Sequence, residues 1–375
     1  MKTSNMTRLC ASAGLVAVCT TLCVASGGAR AQSVTIYGLI DASVEHLSNV
    51  GTGGDGLTRM PGLTGSLPSR LGLRGTEDLG GGLKAVFVLE QGIGVDSGTL
   101  NQGGRVWGRQ AYVGLSGDFG TVALGRQYSM LYWSQLDADL LGPAMFGSGS
   151  LDSYLPNARV DNAIAWRGTF QGWTLGATFS PGRDAVNAGP TPAGTNCAGE
   201  SATDSKACRQ WSAMVKYDTA SWGAVAAVDE IRGGTGAFAG LTSGALTDRR
   251  ASVAAWAKWG DWKVGAGLIN RRNEGSATTP DSNLWYVGGG YSLSPQILLE
   301  AELFKLDYKD SPNQATLLAL RGTYTLSKRT ALYATVGRID NDGALALSVS
   351  NAASGGAPVV GGSQNGVAAG IKHSF

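Results

Sequence analysis

From Val34 to the C-terminus, apolar and polar residues alternate with a period of two in segments of about ten residues. In Trp211–Asp218, the set Trp211, Ala213, Val215 and Tyr217 falls on one face, and Ser212, Lys216 and Asp218 fall on the other. Ala251, Val253, Ala255, Ala257 and Trp259 stand opposite Arg250, Ser252 and Lys258 in the same way. Leu299, Ala301 and Leu303 likewise stand opposite Glu300 and Glu302. One face is therefore free of charge and the other carries it. A Lys or Arg at the midplane of a lipid-facing wall costs ~2–4 kcal/mol, so the uncharged face is expected to meet hydrocarbon. A ten-residue strand at ~3.3 Å per residue, tilted by ~40°, rises about 25 Å, the height of such a wall.

About sixteen such segments occur, an even number, as expected of a bacterial single-chain barrel. Two of them, read as Arg105–Ser116 and Thr121–Tyr128, form a strand pair around the turn Gly117–Gly120. The connections alternate in length. Short ones such as Asp78–Gly82, Phe170–Trp173 and Ser294–Gln296 are interleaved with longer polar stretches such as Asn49–Leu67, Ser129–Ala158 and Pro181–Gln210. This predicts an all-β fold: a transmembrane antiparallel β-barrel with short periplasmic turns at one rim and long extracellular loops at the other. Trp173, Trp222, Trp259, Trp262, Tyr291 and Tyr324 gather beside the short turns, as an interfacial girdle would.

Ser129–Ala158 is too long to be a mere connector. It contains Asp137, Asp139 and Asp152, Pro143 and the run Gly147–Ser150. It is expected to fold back into the lumen and narrow a water-filled pore, its acids facing arginines of the wall.

The first 31 residues change the charge and cysteine arithmetic. Lys2 and Arg8 precede an apolar run from Leu9 to Val24, and Ala29-Arg30-Ala31 has the small-x-small form of a cleavage site. Residues 1–31 thus read as a secretory signal peptide, and residues 32–375 as a single barrel domain. Without Lys2, Arg8 and Arg30 the formal charge of +2 becomes 2 − 3 = −1, so the basic pI gives no reason to expect nucleic acid. Cys10, Cys19 and Cys23 leave with the signal. Cys197 and Cys208 remain in one polar stretch of a chain bound for an oxidising compartment, a candidate loop disulfide.

Several blocks together resemble the Gram-negative general porins. They are Ser33–Gly38, Ser69–Ala85, Gly108–Gly117, Phe119–Tyr128, Leu326–Thr330 and the closing Phe375. The resemblance implies a sixteen-stranded, homotrimeric outer-membrane channel for passive diffusion of ions and small hydrophilic solutes. It implies a constriction in which wall arginines oppose acids of the third long loop. The matching wall positions are Arg70 and Arg74 on the second strand, Arg109 on the fourth, Arg159 on the sixth, and Arg126. The matching loop acids are Asp137, Asp139 and Asp152. Alternation independently puts Arg70, Gly72 and Arg74 on one face, whereas Arg126 shares parity with Val122 and Leu124. Phe375 is implied as the barrel-closing signature. The long loops match less closely, which leaves the preferred solute open.

An excess of wall arginines over loop acids predicts a lean toward anions, since rings of fixed charge set ion preference. No enzyme is expected. The only histidines, His46 and His373, are remote in sequence, so neither a nucleophile–base pair nor a metal site suggests itself, and no cofactor is called for. Gly51–Gly56 fits GxGxxG only in letters, outside any βαβ context. The rival readings are a substrate-specific outer-membrane channel and a surface-binding barrel.

Overall fold

The computed structural model describes residues 33–63, 66–184, 197–351 and 353–375. The expected signal peptide lies outside the described residues. Sixteen antiparallel strands form the wall: β1 (Ser33–Val50), β2 (Arg70–Gly80), β3 (Leu83–Gly94), β4 (Gln110–Gly117), β5 (Gly120–Tyr128), β6 (Arg159–Phe170), β7 (Trp173–Ser180) and β8 (Gln210–Asp218). They continue as β9 (Trp222–Arg232), β10 (Thr247–Trp259), β11 (Trp262–Asn273), β12 (Asp281–Ser294), β13 (Ile297–Tyr308), β14 (Gln314–Thr325), β15 (Thr330–Asp342) and β16 (Ser363–Ser374). Two short strands, Asp55–Arg59 and Thr99–Leu100, belong to the long loops.

Each wall strand pairs with its chain neighbours, and β1 pairs with β16, Ile40 standing opposite His373 and Leu47 opposite Gly366. Phe375 completes the seam: its N–H donates to the Gly38 carbonyl and its carbonyl accepts from the Gly38 N–H, each at 3.1 Å. Its ring lies where a Cβ on Gly38 would stand, so the seam needs glycine there. Closure leaves no unpaired backbone edge in hydrocarbon.

The two faces separate as cost dictates. Trp211 and Val215 on β8 are exposed outward, while Ser212 and Met214 between them are buried inside. At the short-turn rim Trp173, Tyr217 and Trp222 touch in sequence, with centroids 4.8 and 5.5 Å apart, and Trp262 lies 4.6 Å from Tyr291.

One expected boundary moves. The strand read from Arg105 begins at Gln110, because the chain turns at Gln102, Gly103 and Gly104, all at positive φ. Arg105 is then drawn to Asp161 (3.1 Å) and Asp184 (2.5 Å).

Loop 3, residues 129–158, lies inside the barrel. It contains two short helices, α1 (Met130–Gln135) and α2 (Ser148–Leu151), and a 3-10 turn, Leu155–Asn157. It is fastened along the inner wall in turn. The Met130 N–H donates to Ser212 Oγ (2.9 Å), the Leu141 N–H to Glu302 Oε2 (2.8 Å) and Tyr154 OH to Asp229 Oδ1 (2.9 Å).

The wall behind loop 3 is apolar. Leu131, Leu141, Phe146 and Leu155 pack on Ile269, Phe304, Leu317 and Ile339, all buried. Close approach needs Gly265, where a Cβ would strike the Ala138 carbonyl. The last long loop also dips inward. Val349 is buried against Phe146 and the Gly337 and Gly366 positions, and Ser350 Oγ donates to Glu45 (2.6 Å).

Candidate functional site

With loop 3 held against β8–β14, open lumen is left between it and the opposite wall, which carries arginines. Arg70 and Arg74 point inward from β2, two residues apart on one face. Arg109 stands immediately ahead of β4, not within it, and Arg159 is the first residue of β6. Arg167, further along β6, also points inward and was not among the expected wall positions; nothing in its local pattern marks it out.

Aromatic rings hold these guanidinium groups. Arg109 and Arg159 each donate to the Tyr128 hydroxyl at 2.7 Å, and Arg159 lies 4.4 Å above the Tyr128 ring. Tyr132 of α1 stacks on Tyr128 at 3.8 Å, so both arginines are only 2% exposed. Arg167 rests 3.9 Å from the centre of the Trp133 ring, and Arg74 lies 5.2 Å from that of Tyr37. Glu90 on β3 is the acid of this group. It accepts from Arg109 Nε (2.7 Å) and from the Tyr37 hydroxyl (3.0 Å), and Arg70 Nε stands off at 3.8 Å. Neither Arg74 nor Arg167 makes a side-chain hydrogen bond or ion pair with any described residue.

Arg126 does not join this set. It lies at the β5 bulge with outward parity, donating to the Gly108 carbonyl (2.7 Å) and pairing with Asp161 (2.6 Å), beside Arg105 and Asp184.

The loop acids do not face the arginines around Glu90. Asp137 meets Lys216 of β8 at 2.5 Å, which also pairs with Asp218 at 2.8 Å. Asp152 takes a two-point grip on Arg250 of β10, at 2.7 and 3.1 Å, and Asp248 binds both Arg250 (3.1 Å) and Arg271 (2.7 Å). Burial would push the Asp152 carboxyl up, but Arg250 and Arg271 outweigh it and hold it at about 2.

Asp139 sits beside another acid. Its carboxyl accepts from Ser148 Oγ (2.6 Å) and faces the Glu302 carboxyl within hydrogen-bond reach, with Arg321 near. Burial pushes Asp139 up to about 6, against the opposing pull of the Ser148 bond. The missed partners, Lys216, Arg250, Arg271 and Glu302, stand on alternating strands far from loop 3 in sequence, where parity turns them inward but names no partner.

Cys197 and Cys208 are disulfide-bonded, with Cα atoms 5.3 Å apart, in the loop between β7 and β8. His46 and His373 bond Thr58 (2.8 Å) and Thr330 (2.9 Å) and take no part in the charged groups. Among the described residues no cluster of His, Cys, Asp and Glu could hold a metal. The arrangement places fixed charge along the inside of the barrel: arginines around Glu90 on one side, and on the other the paired groups that hold loop 3.

Residues 15–344 match a family model described as Gram-negative porin. Outer membrane porin protein 32 of Delftia acidovorans is 32% identical over 370 residues, 94% of this chain and 97% of that one. Major outer membrane protein P.IB of Neisseria meningitidis is 40% identical over 109 residues, 28% of this chain and 30% of that one. Among solved structures, the anion-selective porin from Comamonas acidovorans superposes with a TM-score of 0.73 at 25% identity, covering 92% of this chain and 100% of that one. A trimer form of OmpT from Vibrio cholerae has the same fold, with a TM-score of 0.64 at 16% identity, covering 92% and 100%.

Proposed function

The chain belongs to the Gram-negative porin family, an outer-membrane β-barrel channel for passive diffusion and not an enzyme; from that premise we propose that it prefers anions. The observation that carries this reading is the wall opposite the loop anchors, where Arg70, Arg74, Arg109, Arg159 and Arg167 gather around Glu90. Arg109 and Arg159 are buried there, and Arg74 and Arg167 are exposed with no carboxylate bound among the described residues. Low-dielectric walls focus the field of such a group on passing ions, and arginine keeps its charge at any physiological pH. The loop acids are engaged elsewhere, by Lys216 and Arg250, and do not cancel it. The naming of the Comamonas protein as anion-selective supports the same direction.

We assign the narrowest part of the path to the gap between loop 3 and the wall of β1–β6, with Arg70, Arg74 and Arg167 as the charges a solute meets. Reversal potentials in planar bilayers under a salt gradient test this; the expected sign is that of an anion-preferring pore, and a cation-preferring sign overturns it.

Three further features belong to the same reading. Residues 1–31 act as a cleaved signal peptide, so N-terminal sequencing of the outer-membrane form should begin at Gln32. The barrel assembles as a homotrimer, the state named for one OmpT structure, and chemical crosslinking should trap a threefold species. Small hydrophilic solutes cross by size, so liposome swelling rates should fall smoothly with solute mass; one solute standing far above that trend would favour a substrate-specific channel.

A further inference from the structure

We infer that the open wall is a binding site for aromatic carboxylates in transit, a reading that rests on the anion preference and adds a solute class to it. A recess of about 400 Å³ opens from the lumen between β1–β4 and loop 3, within the size range of small-molecule sites. Its lining is unusual for a water-filled path. Trp133 and Tyr132 come from α1, Tyr37 from β1, and Leu136 is 40% exposed although it points into an aqueous channel. Charged groups share that lining, Arg70, Arg109 and Lys372 against Glu90.

The cations are presented flat. Arg167 lies on Trp133 and Arg74 against Tyr37, so each guanidinium is held by one face and keeps the other face and its N–H edge for a ligand. Arg70 is loosely paired, at 3.8 Å, because Glu90 is already taken by Arg109 and Tyr37. Arg70, Trp133 and Tyr37 line the recess itself, and Arg167 and Arg74 border it through the rings they rest on, so a planar anion seated there meets cations and flat faces together. Its carboxylate accepts two N–H bonds from an arginine fork. Its ring lies on guanidinium and aromatic faces and covers Leu136. Chloride uses only the charge. An aliphatic ring of the same size uses the charge and the bulk but not the flat faces.

The test uses the full-length channel in planar bilayers in potassium chloride, titrated with benzoate, cyclohexanecarboxylate or acetate, with reversal potentials recorded on the same membranes. Benzoate is expected to depress chloride-carried conductance at about tenfold lower concentration than cyclohexanecarboxylate, with acetate weakest. Arg167→Gln should raise the half-blocking concentration of benzoate about tenfold and narrow its lead over cyclohexanecarboxylate. If that variant does not insert, Trp133→Leu keeps apolar bulk while removing the flat face, and the same narrowing is expected. Equal block by the two ring acids in the unaltered protein overturns the inference, as does a benzoate lead that survives both substitutions. Equal block with an anion-preferring reversal potential leaves the anion reading standing; a cation-preferring potential removes both.

Discussion

Arg250 and Arg167 are both inward-facing arginines of the same barrel, yet their surroundings differ. Arg250 is fully buried, gripped twice by Asp152, bound by Asp248 and stacked 4.5 Å from the Tyr154 ring. Arg167 is exposed and rests on Trp133 with no acid partner among the described residues. The contrast extends to the walls that carry them. Along β8–β14, Lys216, Arg250, Arg271 and Arg321 are used by Asp137, Asp152, Asp248 and the backbone of loop 3. Around Glu90 on the opposite wall, Arg74, Arg159 and Arg167 lie against aromatic rings and Arg109 bonds the Tyr128 hydroxyl. Charge on the first wall fixes the loop, and charge on the second is, on the proposed reading, what solutes meet. Two unit charges 4 Å apart interact by about 1 kcal/mol in water and about 4 kcal/mol near a protein surface, so whether a protein carboxylate already occupies that distance decides what a passing anion feels.

The sharpest break in the comparison comes from the loop-holding wall. Arg250→Ala leaves Asp152 and Asp248 buried and facing each other, and removing one partner of a buried pair costs about 3–5 kcal/mol. Thermal unfolding of the refolded barrel should shift accordingly, and open-channel noise should rise as loop 3 loosens. Unchanged stability would mean that the loop does not depend on this anchor. Gly265→Val is next: its Cβ would meet the Ala138 carbonyl, and overpacking of this kind costs about 1–3 kcal/mol. The strain is relieved by moving loop 3 toward the opposite wall, so single-channel conductance should fall. A conductance equal to that of the unaltered protein would show that the loop has slack behind it.

Two loop acids should respond to pH in opposite senses. The Asp139 carboxyl is raised to about 6, so its stabilising contribution is full below the unfolded value and is lost as pH rises through about 6. Asp152 is held at about 2, so its contribution is present above the unfolded value and is lost as pH falls toward 2. The two contributions together therefore peak near pH 4, rising from about pH 2 as Asp152 ionises and falling between about pH 4 and 6 as Asp139 does. Asp139→Asn should flatten the alkaline limb, with a gain of about 1–3 kcal/mol at pH 8, read by unfolding midpoints across the pH range. An alkaline limb that persists in the variant would place the titration elsewhere.

These anchors mark the limit of what the chain discloses on its own. Period-two alternation exposes the wall, because lipid forbids charge on one face, so Trp211 and Lys216 separate by parity alone. The extent of loop 3 is equally plain, since residues 129–158 break the alternation for longer than a turn needs. Arg70 and Arg74 share a strand and a face, so their convergence is visible locally. Arg250, Glu302 and Arg167 are different: each is one of several charges on its strand, and its partner is set by how the barrel closes and where loop 3 lies down. Val349 and Ser350 are hidden for another reason. A Gly-, Ala- and Ser-rich loop has the same composition whether it turns out to solvent or in against Phe146. Arg126 shows parity at its most informative: its shared face with Val122 and Leu124 already sets it apart from the inward ladder, and its bond to Asp161 agrees.

The smallest effect on stability and the largest on selectivity should come from the open wall. Arg74→Gln and Arg167→Gln each remove a charge that no described carboxylate uses, so unfolding midpoints should move by less than about 0.5 kcal/mol. The anion-over-cation permeability ratio should nevertheless fall by about twofold for each and further for the pair, since a fixed charge in a focused field acts on every ion that passes. The control is Lys216→Gln combined with Asp137→Asn, which removes an ion pair already closed at 2.5 Å and leaves the net charge as it was. That double variant should leave the reversal potential where it stands. If it shifts the potential as far as Arg167→Gln does, paired and unpaired charges are equivalent to a permeating ion, and the distinction between the two walls is one of structure only.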